Sequence, residues 1–223
     1  MLLRTAHSKT GRMRFLGHLD LARTVHRGLA RAAIPVAFTE GFNPQPRVSF
    51  GPPVALGVEA FEEWVDLALA SPIEPAELLA RLNAALCEGL AFHRAFELEG
   101  RQPSLGSLIR WGRYRVEPRR AEPVQPAAVE AVLAAPRLEL ARRGKAGEKP
   151  REVRRFIREL SLDGPVLHAL LATGSEGSLG ILDLMCHLTG LEAPAVLSGY
   201  RLVRETLYSE NAGALAELGV PPE

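Results

Sequence analysis

The residues best suited to chemistry begin at Gly17-His18-Leu19-Asp20. An imidazole titrates near neutrality, so His18 is the catalytic candidate, a general acid–base. Its structural alternative is to pack at the start of a helix that Asp20 caps, the carboxylate accepting orphan first-turn amides. Nothing nearby supplies the nucleophile of a triad, and no paired carboxylates stand out. Six arginines share this region: Arg12, Arg14, Arg23, Arg27, Arg31 and Arg47. Guanidinium groups bind phosphate bidentately, so a convergent set is a footprint for RNA, whereas a dispersed set is a solvated face. The run Glu40–Pro46 is a stiff turn, with Gly41 free to take positive φ and Pro44 and Pro46 fixing the chain. It presents Phe42, Asn43 and Gln45 to stack on and hydrogen-bond a base, or it braces the core through Phe42.

A second basic region holds Arg142, Arg143, Lys145, Lys149, Arg151, Arg154, Arg155 and Arg158. Read as one strand over Val153–Leu162, it puts Arg154, Phe156 and Arg158 on one face and Arg155 on the other. Cations around an aromatic ring on a sheet suit single-stranded nucleic acid; they also protect a sheet edge from aggregation. The charged loop 143–151 adds to the binding reading. The run Thr173–Ser178 precedes a helix but has neither P-loop spacing nor a following lysine, so it reads as a cap.

No metal is expected in the chain. Its two cysteines, Cys87 and Cys186, lie apart in apolar helical settings and are expected to be reduced and buried. Neither a zinc quartet nor an iron–sulfur cluster can be assembled from them.

These residues need elements to position them. Met1–Phe15 reads as a strand bent near Gly11. Ala22, Val25, Leu29 and Ala33 share one face of a helix over 20–33, and Arg23, Arg27 and Arg31 share the opposite face. Ile34-Pro35 ends that helix. Val36–Phe38 and Val48–Phe50 flank the turn. Ala55–Glu59 and Trp64–Leu69 are strands, with Ala60–Glu63 an acidic connection between them. Helix 75–86 and an alternating strand from Leu90 close the first half. The second half reads as strand 110–117, helix 126–135, strand 137–142, a hairpin of 153–162 and 165–172 about Asp163-Gly164, helix 180–188 and strand 200–207. Strand–helix–strand–strand–helix–strand is the split βαβ order of ferredoxin-like units. The expected fold is therefore α+β, two tandem ferredoxin-like units with antiparallel sheets. They cover residues 1–100 and 107–208, with a tail over 209–223 that frays or forms a helical turn.

The chain has 223 residues, 47% of them hydrophobic, and a net charge of +1. That is enough apolar content for a packed core. The near-zero charge conceals blocks of +6, −7, +8 and −6 over residues 1–50, 51–100, 101–160 and 161–223. Basic faces can coexist with near-neutrality in this way. No apolar run is long enough to span a membrane, and the start lacks a leader-like pattern, so a cytoplasmic location is expected.

The runs RFLGHLDLART, EGFNP and RVSFGPPVALGVE together resemble the radical SAM-linked protein family, a bacterial group encoded beside or fused to a radical SAM protein. Where that family commonly has SEGFNPHP, this chain has Thr39 and Gln45. The resemblance implies a radical SAM partner, with S-adenosylmethionine and the iron–sulfur cluster on the partner only. With the basic faces, it leads to an accessory protein that binds RNA, tRNA or rRNA, and presents it to the partner. The alternatives are a metal-independent RNA endonuclease using His18, and a protein–protein adaptor without RNA.

Overall fold

The computed structural model describes residues 1–100, 102–140 and 150–218. It is a mixed α+β structure built on one large, mostly antiparallel sheet. The first half runs β1 (Leu2–Lys9), α1 (His18–Arg31), β2 (Val48–Phe50), β3 (Glu59–Ala68), α2 (Pro75–Ala85) and β4 (Leu90–Glu97). After a single helical turn, α3 (Leu105–Leu108), come β5 (Ile109–Pro118), α4 (Pro126–Ala134), β6 (Glu139–Leu140), β7 (Arg151–Glu152), β8 (Ile157–Asp163) and β9 (Val166–Ala172). Helices α5 (Ile181–Thr189) and α6 (Ala193–Gly199) then lead into β10 (Tyr200–Asn211) and β11 (Ala214–Glu217). The main sheet runs β4-β1-β3-β10-β5-β9-β8, with β2 paired to β3 and β11 to β10. The join between the halves is its parallel contact, Val203 opposite Glu59 and Arg204 opposite Ala60.

Strand β3 explains how the sheet is buried on both faces. Val65 and Leu67 pack with Leu3, Leu21, Val25, Leu29, Leu78 and Leu82 under α1 and α2. Trp64 points the other way and packs with Ala6, Leu105, Ile109 and Leu207. The larger core of the second half gathers residues of α4, α5, β9 and β10.

Several expectations are corrected here. Residues Gly11–Phe15 form a 3-10 turn rather than the end of a strand. Glu59–Ala68 is one continuous strand, and the acidic Ala60–Glu63 is not a connection. Its charges are neutralised from outside: Glu59 by Arg14 and Arg201, Glu62 by Arg94, Glu63 by Arg204. Of the strand expected over 137–142, the described residues pair only at Glu139–Leu140, with β7, and Arg142, Arg143, Lys145 and Lys149 lie outside the described residues. The tail contains the β10–β11 hairpin, turned by Ala212 and Gly213 at φ +50° and +84°. Cys186 is buried, but Cys87 is exposed beside Met13. No single described helix is long and apolar enough to cross a membrane.

Candidate functional site

His18 is the first residue of α1 and is exposed, its ring edge-on to Phe50 at 5.6 Å. Asp20 is not the cap. Gly17 takes that position without a side-chain bond, and Asp20, inside the first turn, pairs with Arg23 at 3.1 Å. Arg14 is tied to Glu59 at 3.2 Å, and Arg31 donates to the Ala85 carbonyl at 2.7 Å. Arg12, Arg27 and Arg47 remain exposed, with no side-chain partner among the described residues.

The turn is a surface feature. Phe42, Asn43 and Gln45 are all exposed, so Phe42 does not brace the core. Thr39 closes the loop: its hydroxyl accepts from the Gln45 amide at 2.9 Å, and its own amide donates to the Gln45 carbonyl at 2.9 Å. Gly41 sits at φ +122°, which explains glycine there. Val48 lies level with Leu67 and Leu3, whereas His18 and Phe50 border a cleft that includes Lys9 at the other end of β1. The turn therefore enters β2 at Val48, and His18 packs against Phe50 at the other end of that three-residue strand.

In the second half, the backbone tightens into a 3-10 turn at Arg154–Phe156 and β8 begins only at Ile157. Arg154, Phe156 and Arg158 therefore do not share a strand face. Arg154 bonds the carbonyls of Ile157 and Leu133, and Phe156 is buried in the core. Arg158 pairs with Glu210 at 2.5 Å and lies over the Trp111 ring, 5.4 Å from its centroid. The Trp111 indole donates to Glu210 at 2.8 Å. That bond first, with Arg158 reinforcing it, holds the Glu210 carboxyl below its ordinary pKa.

These residues border a cleft of about 240 Å³ lined by Arg110, Trp111, Arg155, Phe156, the Gly174–Gly177 loop and Glu210. Arg155 stacks on Phe156 at 4.8 Å. Arg110 pairs with Glu176 at 2.8 Å, but its Nη1 is buried without a hydrogen-bond partner. The loop read as a helix cap is thus a cleft wall, and α5 is instead preceded by Gly180 with no side-chain bond. Trp111 and Arg110 escaped the sequence reading because they belong to β5, distant in sequence from the basic run. Among the described residues the two basic regions lie apart on the sheet: β1 and β8 are five strand positions apart, roughly 24 Å at sheet spacing.

A second feature escaped it entirely. His7, Lys9, Glu63 and Arg204 are buried polar residues, and a small cleft lined by His7, Lys9, Glu63, Phe50 and His18 opens at the start of α1. Burial, then the nearby cations, hold the His7 imidazole down to about 3. Burial also lowers the Lys9 ammonium, with Glu63 opposing and Arg204 reinforcing. Alternation along β1 marks such positions as core-facing, but His and Lys at them read as surface. Among the described residues no group of three His, Cys, Asp or Glu side chains could hold a metal.

Over residues 3–180 the sequence matches the model of a family described as an uncharacterised protein conserved in bacteria (DUF2344). Comparison with curated proteins gives no match.

Proposed function

The chain belongs to that uncharacterised bacterial family, and within it we propose an accessory protein that binds RNA and presents it to a radical SAM enzyme. The observation that carries the RNA half is the cleft between β5, the 3-10 turn before β8 and the loop before α5. Its aromatic rings, Trp111 and Phe156, carry guanidinium groups on them, and Arg110 brings an unpartnered donor. Flat apolar walls with cationic rims accept a stacked base and its phosphate. A cleft of about 240 Å³ is too small to take a duplex. The exposed Phe42, Asn43 and Gln45, with Arg47, are a second contact for the same strand, and the unpaired Arg12 and Arg27 add long-range attraction.

Two finer readings belong to this proposal. Each half repeats one connectivity: β4-β1-β3-β2 in the first and β10-β5-β9-β8 in the second, antiparallel throughout. This supports reading the chain as tandem ferredoxin-like units. The partner half rests on the resemblance of residues 11–67 to the radical SAM-linked family, and the radical SAM cofactors would then reside on the partner.

The test is binding of labelled tRNA and rRNA fragments across a salt series. Affinity should fall steeply with salt, and Trp111→Ala should weaken it by about 1–3 kcal/mol. Arg155→Glu should flatten the salt slope. Absent or salt-insensitive binding overturns the RNA reading, and RNA cleavage during the assay brings the endonuclease alternative forward. A radical SAM protein that stays bound to the purified chain after RNase treatment supports the partner half.

A further inference from the structure

The buried charges at the start of α1 do not balance. Lys9 and Arg204 bring two cations against one carboxylate, Glu63, whose two oxygens are both taken by Arg204. Lys9 Nζ is left with the Leu16 carbonyl at 3.4 Å. Beside it, His7 stacks on Phe92 at 5.0 Å, and among the described residues neither ring nitrogen has a hydrogen-bond partner of normal geometry. Both side chains belong to residues only 1% exposed. An unpaired buried ammonium and an unsatisfied buried imidazole each cost free energy that a partner would remove.

The cleft these residues line has about 20 Å³ of free volume, room for one water or one end of a small group. A water could satisfy His7 but would leave the surplus positive charge in place; an anion answers both. The cleft also borders the N-terminus of α1, where Gly17 supplies no capping side chain and the fourteen-residue helix adds positive potential. His18 stands at its mouth.

We propose that this cleft is an oxyanion subsite, taking one end of a carboxylate or phosphate group between Lys9 and His7 beside the α1 N-terminus. It lies in the first half of the sheet, apart from the Trp111 cleft, and does not rest on the RNA reading. The charged groups acting on His7 are Lys9 on its own strand, Arg204 from β10 and His93 from β4; the Glu63 main-chain carbonyl acts from β3. A bound anion opposes the cations and favours the protonated imidazole, so occupancy should raise the His7 pKa.

The test is an NMR titration of the full chain with sodium phosphate and, separately, sodium acetate, against sodium chloride at equal ionic strength. The expected result is a saturable shift of the His7 and His18 ring signals and a raised His7 pKa. Lys9→Met, which removes the charge at similar length, should weaken apparent affinity by about tenfold or more. Trp111→Ala should leave it unchanged. Binding of acetate identifies a carboxylate end group; binding of phosphate alone identifies a phosphate. Shifts that merely grow linearly with salt, or equal affinity in Lys9→Met, overturn the proposal. If Lys9→Met does not fold, the wild-type titration decides: a saturable shift confined to His7 and His18 supports the subsite, and its absence overturns it.

Discussion

At the scale of single residues, burial changes what a side chain means. His7 is neutral in the folded chain because its pKa is held near 3, against an ordinary value of 6.5. Between those values the unfolded chain binds more protons, so stability must fall as pH drops below about 6.5, by roughly 1.4 kcal/mol per pH unit. Lys9, lowered from 10.5, acts with the same sign at the alkaline end, adding stability as pH rises toward its ordinary value. Urea unfolding in phosphate-free buffer should lose about 2 kcal/mol from this source between pH 7 and pH 5. His7→Gln should make that decline shallower. An unchanged slope in the variant would mean that other groups carry it. By contrast, arginines that looked alike in sequence differ in state: Arg14, Arg23 and Arg158 are ion-paired, whereas Arg12, Arg27 and Arg47 have no ion-pair partner among the described residues.

At the scale of elements, periodicity located the strands and helices with strong patterns and missed those whose pattern was electrostatic or short. Helix α2, with Leu78 and Leu82 buried, and the Asp163-Gly164 hairpin between β8 and β9 were legible. The start of β3 was not, because Glu59, Glu62 and Glu63 look like a loop until distant arginines are placed on them. The 3-10 turn before β8 was missed for a related reason. It lets Phe156 enter the core against Gly177, where the backbone has φ +130° and an added Cβ would lie 2.4 Å from the ring. Gly177→Ala should therefore lower stability by about 1–3 kcal/mol through strain and overpacking, and weaken RNA binding as the ring is displaced into the cleft. Thermal melts and the RNA titration together check this; a variant as stable and as tight-binding as the wild type removes the steric account.

At the scale of the molecule, the two halves are held by more than the short β3–β10 pairing. Arg204 is fully buried and donates to Glu63, to the Pro52 carbonyl and to Thr173, linking both halves. Burial alone would lower its pKa, but the Glu63 carboxylate overrides that and raises it. Arg201 repeats the arrangement on Glu59 at 2.8 Å. Arg204→Ala takes away the donors that hold both Glu63 oxygens, leaving Lys9 as the nearby cation, and should cost about 3–5 kcal/mol. The double change Arg204→Met with Glu63→Leu should recover part of that loss, because it removes the desolvated pair while leaving Lys9 in place. Denaturant unfolding of the two variants decides this: if the double variant is no better than Arg204→Ala, the contacts to Pro52 and Thr173 rather than the ion pair hold the join.

The sequence by itself determined the mixed α+β class, the stiff turn at Glu40–Pro46 and the absence of cysteine spacings for a cluster, since these depend on neighbours in the chain. Only the tertiary structure decided that His18 packs against Phe50, that Trp111 meets Phe156 in one cleft, and that His7, Lys9, Glu63 and Arg204 share a buried site. Those outcomes depend on strand register and on charges brought together from distant parts of the chain, Glu63 and Arg204 being 141 residues apart. Local composition carries no information about either.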